Sequence, residues 1–205
     1  MSPASVTRRV RDSEHWLANL AARPFPAELY EQPRWYACYT HPRHEKQVDS
    51  LFRRRGIESL LLLVPRVRQW HDRKKVVSFP LFPSYVFARF ALDSLGAVLG
   101  TPGVATVVRI NGCPAPITDE EIENVTRFAA VLEKTGLDPQ RQTFEAGQPV
   151  RIVSGPFVGI TGVVLEVRGR KRVLVGLSTI GVGFDVDVPV SAVEPIRGGG
   201  KLAGA

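Results

Sequence analysis

Apolar and polar residues follow one another along the chain in a pattern that predicts strands and helices from residue 34 onward. Arg34–Thr40 (RWYACYT) is rich in aromatic residues and is typical of a strand. Pro42 can open a helix, and Val48, Leu51 and Phe52 recur at i, i+3 and i+4, on one apolar stripe. Gly56 ends this helix as a left-handed cap residue would. A strand followed by an amphipathic helix therefore opens the ordered part of the chain.

Short strands and two further helices continue this pattern. In order, we predict a strand buried on both faces at residues 59–64, a hairpin of residues 66–70 and 75–78 around a polar tip, a strand at 84–90, a short helix at 93–100 and a strand at 104–110. Asn111-Gly112 then marks a tight turn, and Thr118-x-x-Glu121 is a capping-box pattern that starts a long helix. These elements predict an α+β domain over residues 34–132, a sheet with helices packed against it.

Beyond residue 132 the pattern changes to short strands only. Residues 133–145 are polar, contain Pro and Gly and have no apolar period, so we predict a linker. Five short strands follow, at residues 150–153, 162–167, 172–177, 184–188 and 193–195. They predict a small all-β barrel over residues 146–196, because closure removes exposed sheet edges. Residues 1–33, with a short helix near 13–22, are predicted to be a flexible extension, and residues 197–205 a disordered tail.

Composition narrows the class of protein. The chain has 205 residues, 44% of them hydrophobic, and no apolar run approaches the length needed to span a membrane. The N-terminus lacks the apolar core of a signal peptide, and the two cysteines cannot build a disulfide framework, so we expect a cytoplasmic protein. The net charge of +7 suggests an anionic partner. Residues 43–75 are the most basic stretch, with 10 basic and 4 acidic residues.

Motifs of catalysis are absent from the sequence. It contains no G-x-S-x-G, no glycine-rich loop ending in Lys-Ser/Thr and no H-E-x-x-H. Cys38-x-x-His41-x-x-His44 has a spacing that occurs in metal sites. Its members would fall on a strand end, a turn and a helix, so their side chains would diverge, and no fourth ligand is evident. We therefore predict a protein that is not an enzyme and that holds no metal and no cofactor.

Binding features are stronger, and each has a plainer alternative. The basic stretch lies among aromatic and histidine rings, which suits nucleic acid because phosphates attract cations and bases stack on rings. The alternative for any single arginine is a solvated helix face. Two bulky aromatics, Phe82 and Tyr85, lie beside prolines at a strand entry. If exposed they form an apolar docking patch for a protein, and otherwise they fill the core.

Five motifs carry a resemblance to a known family. They are Arg34-Trp35-Tyr36-x-x-x-Thr40 followed by Arg43-x-Glu45, Leu81-Phe82-Pro83-Ser84-Tyr85-Val86-Phe87, Thr101-Pro102-Gly103-Val104, Pro114-x-Pro116-Ile117-x-Asp119-x-Glu121, and Gly147-x-x-Val150-Arg151-Ile152-x-x-Gly155-Pro156-Phe157-x-Gly159-x-x-Gly162. The first four resemble the NusG N-terminal domain, with its antiparallel sheet flanked by helices, and the fifth resembles the KOW motif, an SH3-like barrel, of the same proteins. Tyr39-Thr40-x-Pro42-Arg43-His44-Glu45-Lys46 and Trp70-x-Asp72-Arg73-Lys74 are most similar to the specialised UpxY-type antiterminators, with RfaH a more distant relative.

This resemblance implies a monomeric, bacterial transcription elongation or antitermination factor. The first domain would dock on the β′ clamp helices of RNA polymerase, reach toward the β gate loop and suppress pausing or termination by bridging the cleft, often at particular operons. By position, the implied residues are Tyr39, Phe82, Pro83 and Tyr85 for the clamp helices, the segment from Ser94 to Thr101 for the gate loop, His41, Arg43, Lys46, Arg73 and Lys74 for the non-template DNA strand, and Phe157, Ile160 and Ile180 of the barrel for ribosomal protein S10 or Rho. General NusG proteins have an aromatic residue at the position of Ile180.

Two alternatives are weighed against this interpretation. A ribosome-associated RNA-binding protein would also contain a KOW barrel, but the modest net charge and the aromatic patch argue against it. RfaH-like proteins can hold the second domain as a helical hairpin. Here Val163, Val164, Val173 and Val175 are β-branched, which favours strands. We therefore predict a stable barrel that does not switch its fold.

Overall fold

Antiparallel sheets organise both of the compact units into which the chain divides. The structure is a computed structural model and describes residues 25–69, 74–143, 147–167 and 170–196. One unit contains the described part of Met1–Leu61 together with Phe82–Thr118. The other contains the described part of Leu62–Leu81 together with that of Asp119–Ala205. Among the described residues, no helix combines the length and the apolar character needed to cross a membrane.

Four helices and fifteen strands make up the described chain. The helices are α1 (Glu28–Glu31), α2 (Glu45–Arg54), α3 (Leu95–Leu99) and α4 (Asp119–Thr135), with 3₁₀ turns at Leu92–Ser94, Ser178–Ile180 and Val190–Ala192. The strands are β1 (Arg34–Thr40), β2 (Glu58–Leu60), β3 (Leu63–Gln69), β4 (Lys74–Pro80), β5 (Tyr85–Phe90), β6 (Val104–Val107), β7 (Arg109–Ile110), β8 (Cys113–Pro114), β9 (Pro116–Ile117), β10 (Gln140–Thr143), β11 (Gln148–Ile152), β12 (Thr161–Val167), β13 (Arg170–Leu177), β14 (Val182–Val186) and β15 (Val193–Pro195).

The sheet of the first unit confirms the predicted α+β arrangement. Its order is β2-β5-β1-β6, with β9 also paired to β1, and every pair is antiparallel. Tyr36 and Cys38 of β1 are completely buried and point to one face of the sheet. Val48 and Phe52 of the predicted apolar stripe of α2 belong to the same core cluster, and Leu51, its third member, is half-buried. The helix is therefore fixed to the sheet by the apolar spacing that predicted it.

Two boundaries near α2 differ from the prediction. The helix begins at Glu45 and not at Pro42, because Arg43 has a φ of 66° and cannot be part of a right-handed helix. Its end is as predicted, since Gly56 has a φ of 72°. The predicted single strand at residues 59–64 is wrong. Only β2 pairs with β5, and the chain then leaves the first sheet and enters a separate hairpin of β3 and β4. At the base of this hairpin the Leu81 N–H donates to the Leu62 carbonyl.

The first unit contains one helix that was not predicted, α1, and one turn that was. Leu29 and Tyr30 of α1 are buried in the core, although they lie in the segment predicted to be a flexible extension. The short helix predicted near residues 13–22 lies outside the described residues. Asn111 and Gly112 have φ values of 51° and 82°, so the predicted tight turn between β7 and β8 is confirmed.

The second unit contains a hairpin, a helix and an all-β sheet. β3 and β4 form the predicted hairpin in the register Arg66↔Val77, and most of its predicted tip lies outside the described residues. The sheet has the order β10-β14-β13-β12-β11-β15. Strands β11 to β15 confirm the five predicted strands. The sixth strand, β10, lies in the segment predicted as a linker and pairs with β14.

Candidate functional site

Two tyrosines meet at the end of the central strands of the first sheet. Tyr39 of β1 is paired with Tyr85 of β5, and their ring centroids lie 5.3 Å apart in an edge-to-face arrangement. Both side chains are partly accessible, and Pro83 beside them is exposed. We call Tyr39, Pro83 and Tyr85 the tyrosine–proline surface. Rigid aromatic edges of this kind bring large contact area and a polar hydroxyl to a protein interface.

Phe82 supports this surface from within. Its side chain is 1% exposed, and its ring packs edge to face on Phe87 with centroids 5.6 Å apart. The core-filling alternative therefore applies to Phe82, while Tyr85 remains accessible. Of the four residues predicted to dock on a protein partner, three have side chains at the surface and one lies below them.

A strained turn presents Pro83 and Tyr85. Ser84 has a φ of 65°, in the left-handed region that residues other than glycine rarely adopt. Its carbonyl accepts a hydrogen bond from the Thr40 N–H at 2.8 Å, and its own N–H donates to Oε1 of Glu45 at 2.8 Å. The Tyr85 N–H closes the turn on the Phe82 carbonyl at 3.1 Å. The backbone on both sides of Ser84 is thus held in place.

Basic and ring side chains cluster where α2 begins. His41 and Arg43 are exposed, as is Lys46 one turn further on. The His41 ring lies 5.9 Å from that of His44, and the His41 N–H donates to the Gly103 carbonyl at 2.9 Å. Within the described part of the chain, the guanidinium of Arg43 and the ammonium of Lys46 have no protein partner. These cations are therefore available to phosphate groups.

Gly103 is needed for the close approach of this cluster to the helix. Its φ is 98°, and a β-carbon there would lie 2.9 Å from Cγ2 of Val48 and 3.1 Å from Cβ of His44. Any larger residue would push the chain away from α2 and disturb the hydrogen bond to His41.

The remaining two residues predicted for DNA lie elsewhere in the chain. Lys74 is the first residue of β4, in the second unit, and only its backbone is described. Arg73 lies outside the described residues. Of the five predicted residues, His41, Arg43 and Lys46 therefore lie close together in sequence where α2 begins, in the first unit.

The segment predicted to face a gate loop has one accessible and one buried end. Ser94 is exposed where the 3₁₀ turn passes into α3. Thr101 is 1% exposed, and its hydroxyl accepts a hydrogen bond from Nη1 of Arg55 at 2.8 Å and donates to the Ala97 carbonyl at 3.0 Å. The Thr101 side chain therefore anchors the segment, while Ser94 and Ala97 are exposed to solvent.

In the second unit, two of the three predicted partner-binding residues are buried, and one of them packs against helix α4. Phe157 is 6% exposed and its ring centroid lies 5.7 Å from that of Phe128 on α4. Ile160 is 1% exposed. Ile180, at the end of a 3₁₀ turn, remains partly accessible. Of the three side chains, only that of Ile180 is therefore accessible to a partner in this arrangement.

A side-chain amide fixes the same helix to the sheet. Asn124 of α4 donates from Nδ2 to the Thr161 carbonyl and accepts at Oδ1 from the Thr161 N–H, both at 2.8 Å. Asn124 is 6% exposed, so both bonds lie away from water. The contact gives both backbone groups of the first residue of β12 a hydrogen-bond partner and ties α4 to this strand.

Among the described residues, the candidate metal ligands do not cluster, and burial favours the neutral forms of one thiol and one phenol. In residues 25–69, 74–143, 147–167 and 170–196, no three His, Cys, Asp or Glu side chains lie together as metal ligands would. Burial strongly raises the pKa of the Cys38 thiol, which keeps it protonated. Burial, with Cys113 nearby, also raises the pKa of Tyr36 to about 12, against a smaller opposing effect of Arg34. Buried neutral groups of this kind belong to a core.

Two long-range hydrogen-bonded contacts were not evident in the sequence. Glu45 was a motif position at a helix start, and its bond to Ser84 spans 39 residues. Asn124 lies between apolar helix positions that resemble an ordinary core stripe. A polar residue on the buried face of a predicted helix was the available signal for Asn124. For Glu45, no local sequence pattern predicts a hydrogen-bond partner 39 residues away.

Comparisons with known proteins give one consistent result. Residues 33–126 match the family described as "Transcription termination factor nusG". The chain is 32% identical over 177 residues to the transcription termination/antitermination protein NusG of Pseudomonas aeruginosa, covering 80% of this chain and 98% of that protein. It is 29% identical over 161 residues to the protein of the same name from Thermus thermophilus, covering 69% and 88%. A solved structure described as "Domain interaction in Thermotoga maritima NusG" is 27% identical, covers 82% of this chain and 99% of that one, and has a TM-score of 0.44.

Proposed function

We propose that this chain, which belongs to the NusG family of transcription termination and antitermination proteins, binds RNA polymerase through its tyrosine–proline surface and suppresses pausing or termination. The observation that carries the proposal is the Tyr39–Tyr85 pair beside exposed Pro83. A rigid aromatic surface at the end of two central strands is suited to a protein partner, and family membership identifies transcription as the process.

The β′ clamp helices of the polymerase are the proposed docking partner. A helical hairpin offers apolar grooves between its side chains, into which aromatic edges and a proline ring can pack. Phe82 supports the surface from the core and does not touch the partner in this arrangement. We assign this role to the domain predicted over residues 34–132.

Contact with the β gate loop would complete the bridge across the polymerase cleft. The segment from Ser94 to Thr101 supports this role, because Ser94 is exposed and Thr101 is anchored by Arg55. A clamp held from both sides has less freedom to open, and reduced opening is the proposed cause of reduced pausing.

The non-template DNA strand is the proposed anionic partner. His41, Arg43 and Lys46 offer rings and cations on one exposed cluster, a combination that suits single-stranded nucleic acid. Arg73 and Lys74 of the hairpin are proposed to contribute further phosphate contacts. The similarity of this region to UpxY-type antiterminators supports recruitment at particular operons.

The barrel over residues 146–196 is proposed to bind either ribosomal protein S10 or Rho. Ile180 is the accessible member of its three candidate residues. Phe157 packs on α4 and would become available to such a partner only if α4 moved away from it, and Ile160 is buried as well.

A binding experiment with the full chain tests the docking proposal. Replacing Tyr39 and Tyr85 together by Ala should weaken binding to the cognate polymerase core by at least about tenfold, as expected for interface aromatic anchors. Ile110→Ala is the matched control, because Ile110 is an exposed apolar residue of the same unit at another turn. Unchanged binding by the double variant would contradict the proposal. Recovery of ribosomal subunits without polymerase would instead favour the ribosome-associated alternative.

A further inference from the structure

Glu45 is a buried carboxylate with an unusual partner. It is 7% exposed, and its Oε1 accepts from the backbone N–H of Ser84 at 2.8 Å. Within the described part of the chain, no Lys, Arg or His forms a salt bridge with it. A carboxylate is costly to bury unless hydrogen bonds satisfy it. The Ser84 N–H and the positive end of the α2 dipole supply the favourable interactions here.

The N–H that Glu45 accepts belongs to the strained residue of the docking turn. With a φ of 65°, Ser84 departs from the ordinary strand conformation, and its N–H bonds to the Glu45 carboxylate. The pairing of β1 with β5 ends at this point, at Tyr39 and Tyr85. The Glu45 carboxylate supplies the acceptor that the strand partner does not.

Holding Ser84 in this conformation determines where its neighbours point. The Thr40 N–H bonds to the Ser84 carbonyl on one side and the Tyr85 N–H bonds to the Phe82 carbonyl on the other. Pro83 is left exposed, and the Tyr85 ring lies against Tyr39. A relaxed Ser84 with negative φ would change the direction of both neighbours, since successive residues are joined by planar peptides.

Glu45 also lies between the two parts of the proposed binding face. Arg43 and Lys46 flank it in sequence and are exposed, while Glu45 itself points inward to the turn. One residue therefore connects the start of α2, which carries the cations, to the turn that presents Pro83 and Tyr85.

We propose that Glu45 is a positioning residue for polymerase binding, whose carboxylate holds the Phe82–Tyr85 turn in the conformation that presents Pro83 and Tyr85. This inference rests on the proposed function of the tyrosine–proline surface. Glu45 acts through Ser84 and does not touch the partner.

Two conservative replacements separate the hydrogen bond from the charge. Glu45→Gln keeps the length of the side chain and an acceptor oxygen, while Glu45→Asp keeps the charge and shortens the reach by one methylene. If the bond to Ser84 matters, Glu45→Gln should bind polymerase within about threefold of the parent chain and Glu45→Asp about tenfold more weakly, the effect of losing one hydrogen bond. If only the charge at the helix start mattered, the order would be reversed.

The experiment uses the full chain and two measurements. The first is the dissociation constant for the cognate polymerase core, and the second is the hydrogen exchange rate of the Ser84 amide by NMR in the free protein. Asp49→Ala is the matched control, because Asp49 is an acid of the same helix that bonds Arg53 and Ser59 and not the turn. We expect Glu45→Asp to speed Ser84 exchange and weaken binding, and Glu45→Gln and Asp49→Ala to do neither.

Failure of the positioning role and failure of the proposed function give different results. If the Tyr39 and Tyr85 double variant loses binding while Glu45→Asp binds like the parent chain, the positioning role is wrong. If weakened binding by Glu45→Asp comes with unchanged Ser84 exchange, the role through Ser84 is also wrong. If none of these variants alters binding, the docking surface itself is wrong, whatever the exchange rates.

Discussion

Replacing Asn124 by Ala should loosen the contact between helix α4 and strand β12. The Asn124 amide makes two hydrogen bonds, both of 2.8 Å, to the N–H and the carbonyl of Thr161. Because Asn124 is 6% exposed, water has little access to the groups that the substitution leaves behind. The two backbone groups of Thr161 would lose their side-chain partner in one step.

The size of this effect follows from the two bonds. A hydrogen bond of this kind contributes about 1 kcal/mol net, and an unsatisfied buried group costs about 1–3 kcal/mol. Two bonds therefore give a loss of about 2 kcal/mol, or more where the Thr161 groups stay dry. A loss of about 2 kcal/mol corresponds to about a 30-fold change in an equilibrium constant. The Phe128–Phe157 contact remains, so the helix is loosened without losing its apolar packing.

Amide hydrogen exchange measures this loss where it occurs. In the parent chain the Thr161 amide should be protected, and Asn124→Ala should speed its exchange by about 30-fold. Thr126→Ala is the control, because Thr126 lies on the same helix and its hydroxyl donates to the Ile122 carbonyl within that helix. An Asn124→Ala variant whose Thr161 amide exchanges no faster than in the control would refute the reasoning.

Three further predictions concern the first unit. Burial raises the pKa of Tyr36 to about 12, so the stability that its neutral form supplies is fully present below pH 10 and is lost as the pH rises through the folded pKa. Tyr36→Phe should therefore remove about 1 kcal/mol of the decline in unfolding free energy up to about pH 11. An unchanged decline in urea titrations would count against this reasoning. Gly103→Ala should lower the unfolding free energy measured in urea by more than about 1 kcal/mol. Gly112→Ala should lower it less, because a β-carbon at Gly112 meets no atom within 4 Å. Equal losses would show that the close approach of Gly103 to α2 is unimportant. Replacing Arg43 and Lys46 by Ala should weaken binding to single-stranded DNA and reduce its salt slope by about 0.7 per lost phosphate contact, and an unaltered slope would exclude them as contacts.

Local patterns predicted much of the fold because the decisive interactions are local or periodic. β1 lies at the residues where aromatic density predicted it, and α2 packs through the stripe that contains Val48 and Phe52. The Asn111-Gly112 turn is determined by the backbone freedom of two residues. The barrel strands are separated by glycine turns and rich in β-branched residues, so their positions were also predictable.

Elements that depend on distant partners were not predictable in the same way. β10 is polar throughout, and its order comes from backbone pairing with β14, which no apolar period reveals. The split of residues 59–64 between two sheets follows from where the chain crosses into the hairpin. Phe82 is buried and Tyr85 is partly accessible on either side of the left-handed Ser84, whose N–H bonds to Glu45 of another element, 39 residues away.

Single-round transcription with the cognate polymerase on a template that carries a defined pause tests the central claim most directly. The full chain should shorten the pause, and the variant with Ala at positions 39 and 85 should not at the same concentration. A full chain that leaves both pausing and termination unchanged at saturating concentration, or a variant that acts as strongly as the parent chain, would contradict the account.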